Sequence, residues 1–369
     1  MSNARKLADN LPREGQLGNR NLIINGNFEV WQRNTTAHSA DNTYNTVDRF
    51  RAYRNTGAYT TERSDYHPHG TGNGYSLKVQ CTTADTSMAS GEYAFVNHEV
   101  EGQNLQHLRY GTSNAKSVTL SFWIRSSKTG TYTVGIYKHA GGNTAYMYRK
   151  EYTISSANTW EKKIITASPT AGSTSFITSS AGSISNGSYG FGVSFNLALG
   201  SNFHGTNDTW EENAKYGTSN QVNFLDSTSN NLYLAEVQLE EGIQSTPFQH
   251  EDMSTTLFKC QRYFFKHEIN NHNGQLVLVI DRGSNYYYTH LNFPQPMRTT
   301  PTMSEAYIDS IHKPGVRYDT ITAGPTFYQI SPYGCYINAG GANTDANSTS
   351  ALLGATSSNV GAIYADAEL

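Results

Sequence analysis

Residues 117–126, SVTLSFWIRS, put Val118, Leu120, Phe122 and Ile124 at every second position, with Thr119, Ser121, Trp123 and Arg125 between them. A period of two belongs to a β-strand with one face in a core and the other outside it. The rhythm recurs in YSLKVQC (residues 75–81), where Leu77, Val79 and Cys81 point one way. It recurs again over residues 189–200, where Phe191, Val193, Phe195, Leu197 and Leu199 oppose Gly192, Ser194, Asn196 and Ala198. Further short strands are expected in NLIINGNFEVWQR, broken at Asn25-Gly26, and in VDRFRAYRN, EYAFVNHEV, GTYTVGIYK, TWEKKIITA and NLYLAEVQLE. Strands of this length, separated by Gly, Asn and Ser turns, predict an all-β sandwich of two sheets. Residues 200–231 are too polar to join it and read as an insertion or ordered loop.

A chain of 369 residues exceeds one typical domain. The pattern changes near residue 250, where HEDMSTTLFKCQRYFF reads as a connector with a helical turn over residues 252–262. A second set of strands follows in QLVLVIDR, NYYYTHLNF, TFYQIS and GCYINAG. The expected fold is therefore two β-sandwich domains, residues 21–252 and 253–369, the second placed distally. A short N-terminal arm, residues 1–20, precedes them. In the arm Ala4, Leu7, Ala8 and Leu11 follow helical spacing, between a Ser2 cap and a Pro12 stop. So short a helix is marginal alone, so its stripe either packs on copies of itself or other proteins, or frays.

Charged residues make up only 15% of the chain, the net charge is −3, and there are 25 tyrosines. That many aromatics excludes a disordered chain. So little positive charge argues against nucleic acid or an anionic membrane as partner. Cys81, Cys260 and Cys335 show no paired spacing, which points to free thiols made in a reducing cytoplasm. No apolar stretch is long enough for a membrane helix, and the N-terminus lacks the apolar core of a signal peptide.

Several stretches together resemble bacteriophage tail-fibre and virion appendage proteins: NLIINGNFEVWQR, SVTLSFWIRSSKTGTYTVGIY, ANTWEKKIITA, YLAEVQLEEGIQSTPFQHEDMSTTLFKCQRYF and the terminal ADAEL. The resemblance covers roughly residues 21–265. The sandwich is also similar to the jelly-roll of family 4 and 9 carbohydrate-binding modules. These resemblances imply a virion protein that projects from the particle and meets glycan on the host surface. They imply a homo-oligomer, with a trimer favoured, and an arm that contacts other virion proteins. They do not distinguish a tail fibre from a purely structural decoration or connector.

Trp123 and Arg125 share the outward face of their strand and form a first candidate glycan site, the indole stacking on a sugar ring. The alternative is an indole covered by a loop or a neighbouring subunit, the commoner fate of tryptophan. Tyr286, Tyr287 and Tyr288 form a second candidate. Tyr286 and Tyr288 share a face with His290, and Tyr287 points away. A tyrosine-rich surface without a ligand is the competing reading. His67 and His69 in YHPHG could meet a metal at an oligomer axis, or could simply sit in a polar turn fixed by Pro68. The module resemblance implies a structural Ca²⁺ between the first and last strands, with Glu29 and Glu236 as candidate ligands. Ala235 stands where a ligating Asp is expected, so solvated carboxylates remain the alternative.

No hydrolase, metalloprotease, P-loop or dinucleotide-binding signature occurs. The adjacent pairs Glu211–Glu212 and Glu240–Glu241 would point to opposite sides of a strand and make no acid dyad. A non-enzymatic protein is expected.

Overall fold

The structure is a computed structural model that describes residues 20–140, 144–169, 189–269, 278–281, 286–312, 319–341, 350–354 and 361–368. The arm residues Ala4, Leu7, Ala8 and Leu11 lie outside the described residues. The chain divides into two compact units, residues 1–252 and 253–369.

In the first unit, one six-stranded antiparallel sheet is built from β1 (His38–Ser39), β3 (Ala58–Ser64), β4 (Ser76–Thr83), β12 (Asn231–Glu241), β6 (Val118–Ser126) and β9 (Glu161–Ala167), side by side in that order. The other runs β11 (Thr209–Glu212), β8 (Thr144–Ile154), β7 (Gly130–Ala140), β10 (Tyr189–Leu199), β5 (Tyr93–Glu101), β2 (Phe50–Arg54). The inward rows meet in one core. Val118, Leu120, Phe122 and Ile124 are fully buried, together with Phe191, Val193, Phe195 and Leu197 from the facing sheet. Each such side chain contributes about 1.5–3 kcal/mol on burial. The sequence-predicted sandwich of this unit is thus present.

Two local departures matter. The stretch NLIINGNFEVWQR is not a strand; two backbone bonds, the Leu22 amide to the Leu239 carbonyl and the Val237 amide to the Gly26 carbonyl, tie it to β12, and asparagine side chains add to them. Asn21 donates to the Val237 carbonyl and accepts from the Leu239 amide, and Asn25 clamps both Val30 and Asp48. Gly26 lies so close to Val237 that a Cβ would sit 2.0 Å from its carbonyl oxygen. The second departure is a bulge in β12. Ala235 pairs with Trp123, but the next pair is Gln238 with Ser121. Leu232 and Leu234 face the core before the bulge, and Val237 and Leu239 after it. The extra residue reverses the parity. Without it, strict alternation would carry Glu236 into the core. Instead Glu236 takes a left-handed φ of 48°.

Within the segment 200–231, expected to stay out of the sandwich, Thr209–Glu212 form the edge strand β11 of the second sheet, and Tyr216 packs over that sheet's outer face. Tyr216 stacks on Phe95 with ring centroids 4.8 Å apart, and its carbonyl accepts from Asn196 Nδ2 at 2.8 Å. Ser194 and Asn196, outward by alternation, are therefore buried.

The second unit begins with helix α1 (Met253–Gln261). A three-stranded sheet follows the order β13 (Phe264–Ile269), β21 (Gly361–Asp366), β16 (Thr302–Ala306). Six further strands close into a barrel: β14 (Leu278–Asp281), β15 (Tyr286–Asn292), β19 (Gly334–Gly341), β18 (Asp319–Ser331), β17 (Ser310–His312) and β20 (Ser350–Gly354). The all-β fold holds across both units. In this one, sheet and closed barrel take the place of the second open sandwich expected from sequence. Closure removes exposed strand edges, which short strands at the end of a chain would otherwise leave unpaired.

Candidate functional site

Two aromatic faces emerge, one in each unit. In the first unit Trp123 and Arg125 lie outward on β6 and are half-buried. The turn after β3 comes down onto them. Pro68 and His69 occupy a turn closed by the Gly70 amide on the His67 carbonyl at 3.0 Å. His69 meets the Trp123 ring edge-on, with centroids 6.0 Å apart. His69 Nε2 lies 2.8 Å from Glu236 Oε1, and His67 Nε2 lies 3.8 Å from the same oxygen. Burial pulls His67 below the usual histidine range; Glu236 opposes that shift, and His69 and His250 reinforce it. Trp123 is therefore partly covered by a loop of its own protein and stays half-buried.

Arg125 is equally engaged. Its guanidinium lies 4.9 Å from the centroid of Tyr66 and 5.2 Å from that of Tyr233, and its Nε donates to the Asn158 carbonyl at 3.0 Å. Trp160 meets Tyr233 edge-on. The structure thus brings Trp123, Arg125, His67, His69 and Glu236 together on one sheet face. Sequence reasoning treated them as three separate candidates and missed Tyr66 and Tyr233.

Glu29 is half-buried, in the segment that packs beside β12. No group of three or more His, Cys, Asp or Glu among the described residues is arranged to hold a metal ion.

In the second unit the alternation along β15 sorts the tyrosine triplet. Tyr287 is in the barrel core at 1% exposure, so it cannot present a ring to a ligand, which corrects its candidacy. Tyr286 is exposed, Tyr288 half-buried and His290 exposed on the outer face. Register adds residues that the sequence did not single out. His290 pairs with Tyr336 on β19, and Tyr336 pairs with Tyr328 on β18. The His290 and Tyr336 rings meet edge-on at 5.0 Å. Tyr328 and Tyr336 are 51% and 44% exposed, so this row is open to solvent. The neighbouring row is Ile280, Tyr288, Asn338 and Thr326. The only signal in sequence was the alternation within TFYQIS and GCYINAG; the cross-strand register that aligns them is non-local. Beside Tyr328 an open groove of about 560 Å³ lies between β16 and β18.

The cysteines Cys81, Cys260 and Cys335 are free and buried. Among the described residues no helix is long and apolar enough to cross a membrane.

No family model matches the sequence, and no curated protein matches it. Solved structures with a similar chain course include the enzymatically active domain of tailspike protein 4 of bacteriophage CBA120, at 13% identity and a TM-score of 0.32, covering 60% of this chain and 21% of that one. The CBM22-2 xylan-binding domain of Xyn10C from Paenibacillus barcinonensis aligns at 17% identity and a TM-score of 0.29, covering 55% of this chain and 98% of that one. The tripod of the bacteriophage Tuc2009 baseplate aligns at 11% identity and a TM-score of 0.25, covering 62% of this chain and 57% of that one. This chain spans about a fifth of the tailspike chain. Likenesses at such scores carry no function over to it.

Proposed function

We propose that this protein is a bacteriophage virion appendage that binds glycan on the host surface without cleaving it, through the outer tyrosine face of its second unit. The observation that carries the reading is the solvent-open row Tyr328–Tyr336–His290, flanked by Tyr286 and Tyr288. A closed barrel has no strand edge to offer, so recognition there falls to side chains. Tyrosine suits the task because its ring is rigid and its hydroxyl stays wet. The arm carrying Ala4, Leu7, Ala8 and Leu11 attaches to other virion proteins and favours a homotrimer. Copies on a particle then multiply weak sites by effective concentration. The protein is made in the host cytoplasm and resides in the virion, with neither nucleic acid nor membrane as partner. No metal is required.

The test is binding of the full chain to an array of bacterial surface polysaccharides. Loss of one stacking ring is worth about 1 kcal/mol or somewhat more, so Tyr336→Ala is expected to weaken binding by about tenfold. EDTA is expected to leave binding unchanged, and no new reducing ends should form. Undiminished binding by Tyr336→Ala removes the assignment, and released reducing ends reveal an enzyme.

A second reading, a structural decoration of the particle, draws on the outer face of the first unit. There Tyr66 and Ile164 remain 45% and 56% exposed beside rings already engaged within the chain. A neighbouring virion protein that covers this face would favour it.

A further inference from the structure

We infer that the tyrosine row and the groove beside it form one continuous site for an uncharged oligosaccharide, an inference that rests on the glycan reading above. Tyr328 belongs to both, and Thr326 from the neighbouring row lines the groove beside it; both are exposed on β18. The row crosses β15, β19 and β18, a span of about 10 Å at the ordinary strand spacing. With the groove added, the site is longer than a single sugar ring.

Polar groups stand beside the rings. Thr326 is exposed on β18; its hydroxyl donates to the Asn338 carbonyl at 3.2 Å and can still accept. Apolar CH contacts on the tyrosine rings, with the hydroxyls of Thr326 and the tyrosines beside them, describe a saccharide better than an apolar ligand.

Charge selects the class. Glu305 is the one charged residue lining the groove. Neither lysine nor arginine stands on the row or in the groove lining among the described residues. Carboxylated or phosphorylated sugars call for a cation, above all a forked guanidinium. Here they meet a carboxylate instead, a repulsive element that discriminates against them.

The experiment is an array of oligosaccharides of one to six sugars, each neutral member matched to a uronic- or sialic-acid-bearing analogue, probed with the full chain. Neutral members are expected to bind more tightly as length grows from one to three sugars. Acidic analogues are expected to bind about fivefold more weakly, the size of a solvent-screened like-charge contact. Glu305→Gln should close that gap, read as the ratio of acidic to neutral binding for each matched pair. Tyr328→Ala should weaken every member, with unchanged thermal unfolding showing that the barrel is intact. Acidic analogues that bind as tightly as neutral ones, or a gap that Glu305→Gln does not narrow, overturn the inference while the glycan reading stands. Binding to no member of the array overturns both.

Discussion

Glu236 joins three features of the first unit: a bulge, a left-handed backbone and the turn that covers Trp123. Replacing it by Ala removes the acceptor of His69 and the carboxylate facing His67. The His69 side chain is 55% exposed, so its hydrogen bond falls at the weak end of the charge-assisted range, about 1 kcal/mol. The backbone provides a second quantity. A non-glycine residue at φ 48° costs roughly 1–2 kcal/mol relative to ordinary geometry, and glycine avoids that cost. Glu236→Ala keeps the strain and loses the bond, for a net loss of about 1 kcal/mol. Glu236→Gly loses the same bond but relieves the strain. After the extra chain entropy of glycine it should end within about 0.5 kcal/mol of the parent. For a unit of this size 1 kcal/mol corresponds to about 2–4 °C. Thermal unfolding should therefore rank the parent and Glu236→Gly together, above Glu236→Ala. Both variants should free the turn and raise acrylamide quenching of tryptophan fluorescence, an increase that a Trp123→Phe background abolishes. If Glu236→Gly unfolds below Glu236→Ala, the backbone at 236 is not left-handed. If quenching stays unchanged in both, the turn is not latched by the carboxylate.

Acidification should weaken the first unit. His67 and His98 are held below the usual histidine range, both chiefly by burial; Arg49 adds to the effect at His98. The unfolded chain then binds more protons, so their contribution is present above about pH 6.5 and is lost as pH falls below it. Glu99, raised by burial, acts in the opposite sense: its contribution is fully present below its unfolded value and is lost as pH rises through the folded one. The unfolding temperature should fall between pH 7.5 and 5.5, and His67→Gln should flatten part of that slope; an unchanged slope would contradict the assignment to His67. Gly192→Ala should cost about 1–3 kcal/mol in urea unfolding, because its Cβ would lie 1.9 Å from the Tyr137 ring, whose hydroxyl bonds Asn97 and Glu99. Tyr287→Ala should destabilise the barrel by about 3–5 kcal/mol, whereas Tyr286→Ala should change stability by no more than about 0.5 kcal/mol. Equal effects of these two would mean that the β15 alternation is misassigned.

Alternation was sufficient to find the core. Val118, Leu120, Phe122 and Ile124 are buried as their period requires, as are Phe191, Val193, Phe195 and Leu197, although Thr119 and Ser121 between the first four are buried too. It failed where a distant segment intervened. Ser194 and Asn196 are outward on their strand yet buried, because the 200–231 segment folds back over them; no local pattern reports such cover. The strand expected at NLIINGNFEVWQR failed for a related reason, since Asn side chains can satisfy backbone groups in place of a ladder. The parity slip at Glu236 is visible in the spacing of Leu232, Leu234, Val237 and Leu239 once a bulge is considered. The convergence of His69 with Glu236, 167 residues apart, is not. Likewise the tyrosine triplet was legible, but its alignment with Tyr336 and Tyr328 depends on pairings between three strands.

The two faces show why residue type alone does not locate a binding surface. Both present tyrosines on a sheet exterior. In the first unit the rings of Tyr66 and Tyr233 flank Arg125, and Trp123 lies under His69, so the polarizable faces already have partners within the chain. A ligand there would have to displace cation–π contacts worth roughly 0.5–1 kcal/mol each before gaining its own. On the barrel Tyr328 and Tyr336 are about half exposed and contact no cation among the described residues. A sugar that settles on them meets one internal contact, the His290 ring at Tyr336, and no cation–π pair among the described residues. On the proposed glycan reading, the barrel face therefore has the smaller internal cost to overcome even though the first unit holds the tryptophans, and multiplication across copies would amplify that difference.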